Sequence, residues 1–229
     1  MEHFARFFEL MPLWQKAAWI VGCLIICWAL EGYYPLFRLH YKKWKHASVN
    51  LFFLLTTMLV NIVFGLFAVF VFDWVKEYKV GLLYVISLPP WAGLIISLLL
   101  FELIGQYLSH YLLHNIKWMW KLHMVHHSDT HVDATTGTRH HPLDFLVREI
   151  FALLAVMVTG APVGYYFFFR ICNVFFTYFT HANIRFPLWL DKGLSWVFVT
   201  PHMHKFHHHA ERPWTDSNYG NIFSIWDRL

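Results

Sequence analysis

Long apolar runs leave this chain few folds to choose from. Residues 17–37, 49–72 and 82–113 are each long enough to cross a hydrocarbon layer of about 30 Å as a helix. Glu31 is the only charge in the first of them. Within lipid the backbone must satisfy its own hydrogen bonds, which selects helices. Of the 229 residues, 58% are hydrophobic and 14% charged, where an ordinary soluble domain carries about 25% charged residues. Twelve tryptophans and eleven tyrosines suit the bilayer interface. A net charge of +4 makes no case for a nucleic-acid partner. The expected fold is all-α: a polytopic, multi-pass integral membrane protein with about four spans, or three and a hairpin.

The connections refine this outline. Residues 1–16 mix Phe4, Phe7, Phe8, Leu10 and Trp14 with Arg6, Glu9 and Lys16, the pattern of an interfacial helix. Pro89-Pro90 breaks the third run and predicts a kink or a re-entrant piece before the main span from Trp91. Residues 145–158 and 163–179 flank Gly160-Ala161-Pro162 and read as a helical hairpin with both ends on one side. Residues 38–46 carry Arg38, Lys42, Lys43 and Lys45 with no acid, so this loop should face the cytoplasm. Counting spans from there puts the polar interval 115–144 on the same, cytoplasmic side and the N-terminus outside. Residues 1–100 are thus expected to be membrane-spanning helices. Residues 101–229 should form a histidine-rich catalytic domain that includes the hairpin, 145–180. Cys23, Cys27 and Cys172 lie in apolar runs and are expected to be buried thiols without a disulfide. No cleavable signal peptide is evident.

Three histidine clusters stand out against this background: His110 and His114; His123, His126 and His127; and His204, His207 and His208. Spacings of three and four put imidazoles on one helical face, and neutral imidazole is the commonest protein metal ligand. Eight such rings exceed the needs of one ion, so two ions are expected where the membrane helices end. Counting back in fours from His114 reaches His110, Gln106 and Glu102, a polar stripe that must face a cavity or a partner. His181 stands alone after the hairpin as a further candidate. One of His140 and His141 could complete a site. His202 and His209 flank the last cluster and are read as supporting residues. His3, His40 and His46 are expected at the surface.

Without a Cys-x2-Cys pair a thiolate zinc site is excluded, while imidazole suits iron, copper, nickel and zinc alike. Two ions held mainly by histidine at a membrane face could reduce O2 and oxidise a lipid C–H bond. Zinc-dependent hydrolysis and non-catalytic metal binding or transport are the alternatives. The first lacks a His-Glu-x-x-His pair. The second lacks a continuous polar path through the spans.

The ordered set His-x3-His, His-x2-His-His and a distal His-x2-His-His resembles the fatty acid hydroxylase and sterol desaturase superfamily. The resemblance runs over about residues 99–229. It is carried by HYLLHNIKWMWKLHMVHHSD from His110, TTGTRHHPLD from Thr135, THAN around His181, and PHMHKFHHHAERPWTDSNYGNIFSIWD from Pro201. It implies a non-haem di-iron hydroxylase or desaturase acting on a fatty acyl chain, sterol or ether lipid. O2 would be the co-substrate, and electrons would come from a reductase, cytochrome b5 or ferredoxin-like donor. Zinc could occupy the same ligands. Carried over, the ligands are His110, His114, His123, His126, His127, His141, His181, His204, His207 and His208. Asp216 and Asn218 would support them through hydrogen bonds. Gln106 and Tyr111 stand where relatives often have an acid and an arginine, and the chain stops at Leu229 where relatives usually run on a little.

Overall fold

In a computed structural model the described residues, 1–211 and 214–229, form helices joined by turns and irregular connections, with no strand and only two isolated β-bridges, Pro35 with Ile184 and Phe198 with Phe223. The first helix, α1 (Glu2–Glu9), is short and amphipathic. Its Phe4 and Phe8 rings pack on Phe168 at centroid distances of 5.0 and 4.9 Å. After Pro12, α2 (Leu13–Tyr33) buries Cys23, Cys27 and Glu31, a face of period four, and turns Val21, Ile25 and Ile26 outward. All three cysteines are free thiols.

The next helix, α3 (Lys43–Tyr78), has 36 residues, about 54 Å at 1.5 Å per residue. It continues through residues 73–78, beyond the apolar run 49–72, because no breaker interrupts it and Val75 packs into the core. It stops at Lys79, which adopts the left-handed conformation (φ 51°). A single turn, α4 (Leu82–Val85), precedes Pro89, and Pro90 opens α5 (Pro90–Leu100) at the position where proline lacks no useful donor. A π-helical stretch (Phe101–Leu108) and α6 (Ser109–Asn115) carry on without a break. Among the described residues three helical stretches are long and apolar enough to cross a membrane: Leu13–Tyr33, Lys43–Val85 and Pro90–Asn115.

The remainder folds back on this frame. A polar segment holds α7 (Lys117–His127) and a 3-10 turn (Ala134–Thr138) closed by a reciprocal cap between Asp133 and Thr136. The expected hairpin is α8 (Pro142–Thr159) and α9 (Val163–His181). Two short helices, α10 (Leu188–Leu194) and α11 (Pro201–His207), follow, the latter capped by Thr200, and 3-10 turns at Trp214–Asp216 and Trp226–Arg228 lie in the last segment. The hairpin is the axis of the bundle: α2 and α1 pack on α9, and α3 and the π-helical stretch pack on α8.

Polar contacts define the two ends. At one end Glu31 accepts the backbone N–H groups of Ala134 and Asn183 (3.0 and 3.1 Å) and pairs with Lys43 (3.1 Å). Tyr41 donates to Asp133, and His46, expected at the surface, instead sits between Asp129 (2.7 Å) and Asp133 (3.2 Å). The basic loop and the histidine-rich segment therefore share one end. At the other end the hairpin turn meets the end of α3: Gly160 (φ 64°) lies where an added Cβ would be 2.6 Å from the Val80 carbonyl oxygen. Gly160→Ala would incur the left-handed penalty of about 1–2 kcal/mol plus this backbone clash. We expect a lower thermal midpoint in detergent for Gly160→Ala. Gly65→Ala, where nothing lies within 4 Å, should leave it unchanged or slightly raised.

Candidate metal centre

Adjacent residues on an α-helix point about 100° apart, so the two histidines of a His-His pair face different places. The structure uses this twice. Among the described residues nine histidines gather into two groups, and within each group one nitrogen per ring lies within 4.8 Å of the others. The first group is His110 and His114 from α6, His123 and His127 from α7, and His207 from α11. The second is His126 from α7, His181 at the end of α9, and His204 and His208 from α11 and the residue after it. Each of the two later clusters thus serves both groups. The π-helical stretch buries Glu102, which accepts the N–H groups of Asn221 and Ile222 (2.8 and 2.7 Å) and so ties the last segment of the chain beside α6.

The outer nitrogens are committed to acceptors. Nδ1 of His110 meets the Tyr219 carbonyl oxygen (2.8 Å), and that of His207 the Ser217 oxygen (2.7 Å). Nδ1 of His181 meets the Thr177 oxygen (2.7 Å), and that of His126 the Arg139 oxygen (3.2 Å). Nδ1 of His123 meets the Asp144 carboxylate (2.8 Å). A carbonyl only accepts, so each of these nitrogens carries the proton, and in a neutral ring Nε2 is then a bare lone pair. Bare nitrogens nevertheless face each other: His110 and His123 at 3.0 Å, His126 and His181 at 3.0 Å. His127 and His207 approach to 3.1 Å, and His204 and His181 to 2.9 Å. Nε2 of His114 and both ring nitrogens of His208 are buried without a partner.

Facing lone pairs repel, and a cation between them removes the repulsion, so the donor set fits two metal ions. At metal–nitrogen distances of about 2.0–2.1 Å, tetrahedral neighbours sit about 3.4 Å apart and right-angle neighbours about 3.0 Å. The observed 2.9–3.1 Å spacings match the latter.

Burial also keeps these rings neutral. It lowers His123 to about 4, against the pull of Asp144, and His207 to about 3. Burial, reinforced by neighbouring rings, holds His126, His127, His204 and His208 well below the ordinary imidazole value. Neutral imidazole is the ligating form.

The other expected residues divide. Asp216 reaches His114 Nδ1 (3.4 Å). Asn218, in a left-handed conformation, donates to the Met203 carbonyl oxygen (3.2 Å). His141 is not brought to either group: it caps α8, its Nδ1 accepting the Leu143 N–H (3.1 Å), which turns the ring away. His202 pairs with Asp191 (3.1 Å), and His209 accepts the Glu211 N–H (3.1 Å). His140, the other member of the His140-His141 pair, stacks on His126 (4.5 Å, 12°), and Asp144, which the motif reading passed over, holds the site. Asp144, fully buried, takes His123, His140 (3.3 Å) and Arg148 (3.0 Å). The spacing of His140, Asp144 and Arg148 by fours was a signal in the sequence.

A cavity of about 170 Å3 reaches His110, His126, His181 and His204 and extends down between α2, α3, α8 and α9 to Ile20, Met58 and Arg170.

The fatty acid hydroxylase family model matches residues 94–229, more than half of the chain. The chain belongs to the fatty acid hydroxylase family. Among curated proteins, this family member is 29% identical over 126 residues to an ornithine lipid hydroxylase of Rhizobium tropici, covering 55% of this chain and 37% of that protein. It is 27% identical over 148 residues to an alkylglycerol monooxygenase of Caenorhabditis elegans, covering 63% and 28%. A very-long-chain aldehyde decarbonylase of Oryza sativa is 25% identical over 154 residues, covering 65% and 56%. The chain thus spans about a third of the length of the first two relatives. No solved structure matches it significantly.

Two outcomes follow from the outer hydrogen bonds and the depressed histidines. Asp144→Asn should weaken metal retention by about 10–100-fold, read as metal remaining after dialysis against a chelator, because His123 loses its carboxylate. In metal-free protein the unfolded state, with imidazoles near 6.5, binds more protons than the fold, where His123 titrates at about 4. Stability should therefore fall as pH drops from about 6.5 towards 4 and change little above 7, followed by thermal unfolding.

Proposed function

We propose that this member of the fatty acid hydroxylase family is a multi-pass membrane oxidoreductase. It would hydroxylate or desaturate a C–H bond of a lipid, using O2, two non-haem irons and electrons from an external donor. The observation that carries the reading is the pair of histidine groups with bare nitrogens facing one another beside a cavity that descends between membrane-length helices. The relatives bear lipid-oxidising names, and that chemistry is extended to this chain as a proposal.

The first iron would be held by His110, His114, His123, His127 and His207, the second by His126, His181, His204 and His208. Bound there, an iron pair supplies the redox equivalents needed to activate O2. The chain's own residues do the rest. Asp144, Asp216 and the carbonyls of Tyr219, Ser217, Thr177 and Arg139 fix ring orientation and proton position. The buried wall keeps bulk water from the reacting carbon. The cavity presents the lipid to His126, His181 and His204. Oxidation is favoured over zinc hydrolysis because the carboxylates nearest the rings, Asp144 and Asp216, are engaged by His123 and His114, and neither is placed as a free base. No flavin or haem motif is present, so a reductase, cytochrome b5 or ferredoxin-like partner would deliver electrons, at the cytoplasmic face that the basic loop marks.

The test is metal analysis of the purified protein combined with lipid profiling under isotopically labelled O2. The expected result is two irons per chain and a lipid that gains one labelled oxygen or loses two hydrogens. His181→Ala should retain about one iron and make no product. A protein that retains only zinc when expressed with ample iron, with an unchanged lipid profile, would overturn the reading.

A further inference from the structure

The grouped histidines are also reached from outside the cavity. His114, His127 and His208 are not among its lining residues. The half-buried Trp120 of α7 packs its indole against two of them, His114 (centroids 5.0 Å apart) and His127 (5.3 Å). His127 stacks in turn on His208 at 4.6 Å and 22°. His127 belongs to the first group and His208 to the second, and these are the partly exposed rings of the nine. Trp120, His127 and His208 therefore form an unbroken run of π-systems that starts at the surface and touches both groups.

Helix period puts Trp120 on a border. At about 100° per residue it lies about 60° from Lys117 on one side, about 60° from His123 on the other, and about 20° from His127. Lys117 and Lys121 share the outward face one turn apart, and Trp118 and Met124 are exposed as well. Residues 115–128 contain no acid. Asp129, next along the chain, is buried against His46 (2.7 Å), and Asp216 is turned to His114 Nδ1 (3.4 Å). Helix α7 starts two residues beyond the membrane-length stretch that ends at Asn115, so its outer face stands clear of the lipid-crossing segment.

Electron tunnelling falls steeply with distance, so a carrier protein has to bring its centre close to the metals and then leave. Encounters of that kind use small interfaces steered by opposite charge. An uncompensated pair of lysines beside a surface ring that touches two ligands meets both needs. Lipid headgroups could also occupy the lysines and Trp118, but they would make no use of an indole packed against His114 and His127.

We infer that the outer face of α7 is the electron-entry surface: an acidic one-electron carrier protein docks on Lys117 and Lys121, and Trp120 is its route to His127 and His114. This rests on the proposed iron pair and specifies where its donor lands. In each encounter the reduced carrier loses one electron and one ferric ion becomes ferrous, so two encounters reduce the pair. No bond forms or breaks, and Trp120 ends each transfer unchanged.

Iron-loaded full-length protein in nanodiscs of uncharged lipid tests this through binding and single-electron transfer, without lipid oxidation. The probes are an acidic plant-type ferredoxin and, as the basic comparison, cytochrome c. At about 50 mM salt the wild type should bind ferredoxin and not cytochrome c, and about 500 mM salt should abolish the binding. Lys117→Glu with Lys121→Glu should weaken ferredoxin binding about tenfold and leave iron content unchanged. Trp120→Leu should bind ferredoxin as the wild type does, yet oxidise the reduced ferredoxin several-fold more slowly in a stopped-flow single turnover. Should Trp120→Leu lose iron through lost packing, Trp120→Phe keeps a ring against His114 and His127. It should retain iron and still accept electrons more slowly than the wild type. Ferredoxin binding indifferent to the lysine reversal, or wild-type transfer in the tryptophan variant that retains iron, overturns the inference. So does a reversal whose only effect is loss of co-purifying anionic phospholipid, which would assign the lysines to headgroups. A wild type that binds ferredoxin and takes no electron from it sinks the redox reading of the metal groups. Transfer that ignores all these substitutions sinks the α7 entry alone.

Discussion

Imidazole rings whose outer N–H groups are tied outward, leaving their inner lone pairs pointing at one another, impose the central constraint on this molecule. Five of them are tied in this way through Tyr219, Ser217, Thr177, Arg139 and Asp144. Brought within about 3 Å without a cation, those lone pairs would push the helices apart. A cation between them would relieve that repulsion, and its bonds to the ring nitrogens would join α6, α7, α9 and α11. The surroundings follow from this. Burial keeps the rings neutral and ready to ligate, and the same burial makes every unmatched polar atom expensive, so the outer hydrogen bonds have to be complete.

The scaffold meets that demand with polar clamps at the bundle's histidine end. Glu31 reaches from α2 to the Ala134 and Asn183 backbones. His46 bridges Asp129 and Asp133, and Asn50 donates to Asp129 and Thr135 (3.2 and 2.9 Å). Glu102 holds the segment that carries Tyr219. These contacts link residues more than 75 positions apart and convert a polar interval into a fixed lid over the hairpin. The hairpin in turn brings a deep ion pair, Glu149 with Arg170, under the metal centre, so one element serves both the metal end and the cavity beneath it.

Much of this was legible in the residues. Apolar runs announced the membrane-length helices, Gly160-Ala161-Pro162 announced the hairpin turn, and the histidine spacings announced rings sharing helical faces. Those are local properties, set by helix period and by what a turn tolerates. The assignment of His141 as a ligand was not met, since the residue before Pro142 starts a helix and its ring serves the first turn. His46 looked like a surface residue because its two carboxylate partners lie 83 and 87 positions on.

The sequence by itself determined helical class, membrane-length segments, the hairpin and the existence of enough imidazole for two ions, because each depends on neighbours within a turn or two. Tertiary structure alone decided which ring joins which group, that His126 and His127 part company, that Asp144 anchors His123, and that a cavity runs from these rings down to Arg170. Those outcomes depend on distances between helices far apart in the chain, and no spacing along the chain encodes them.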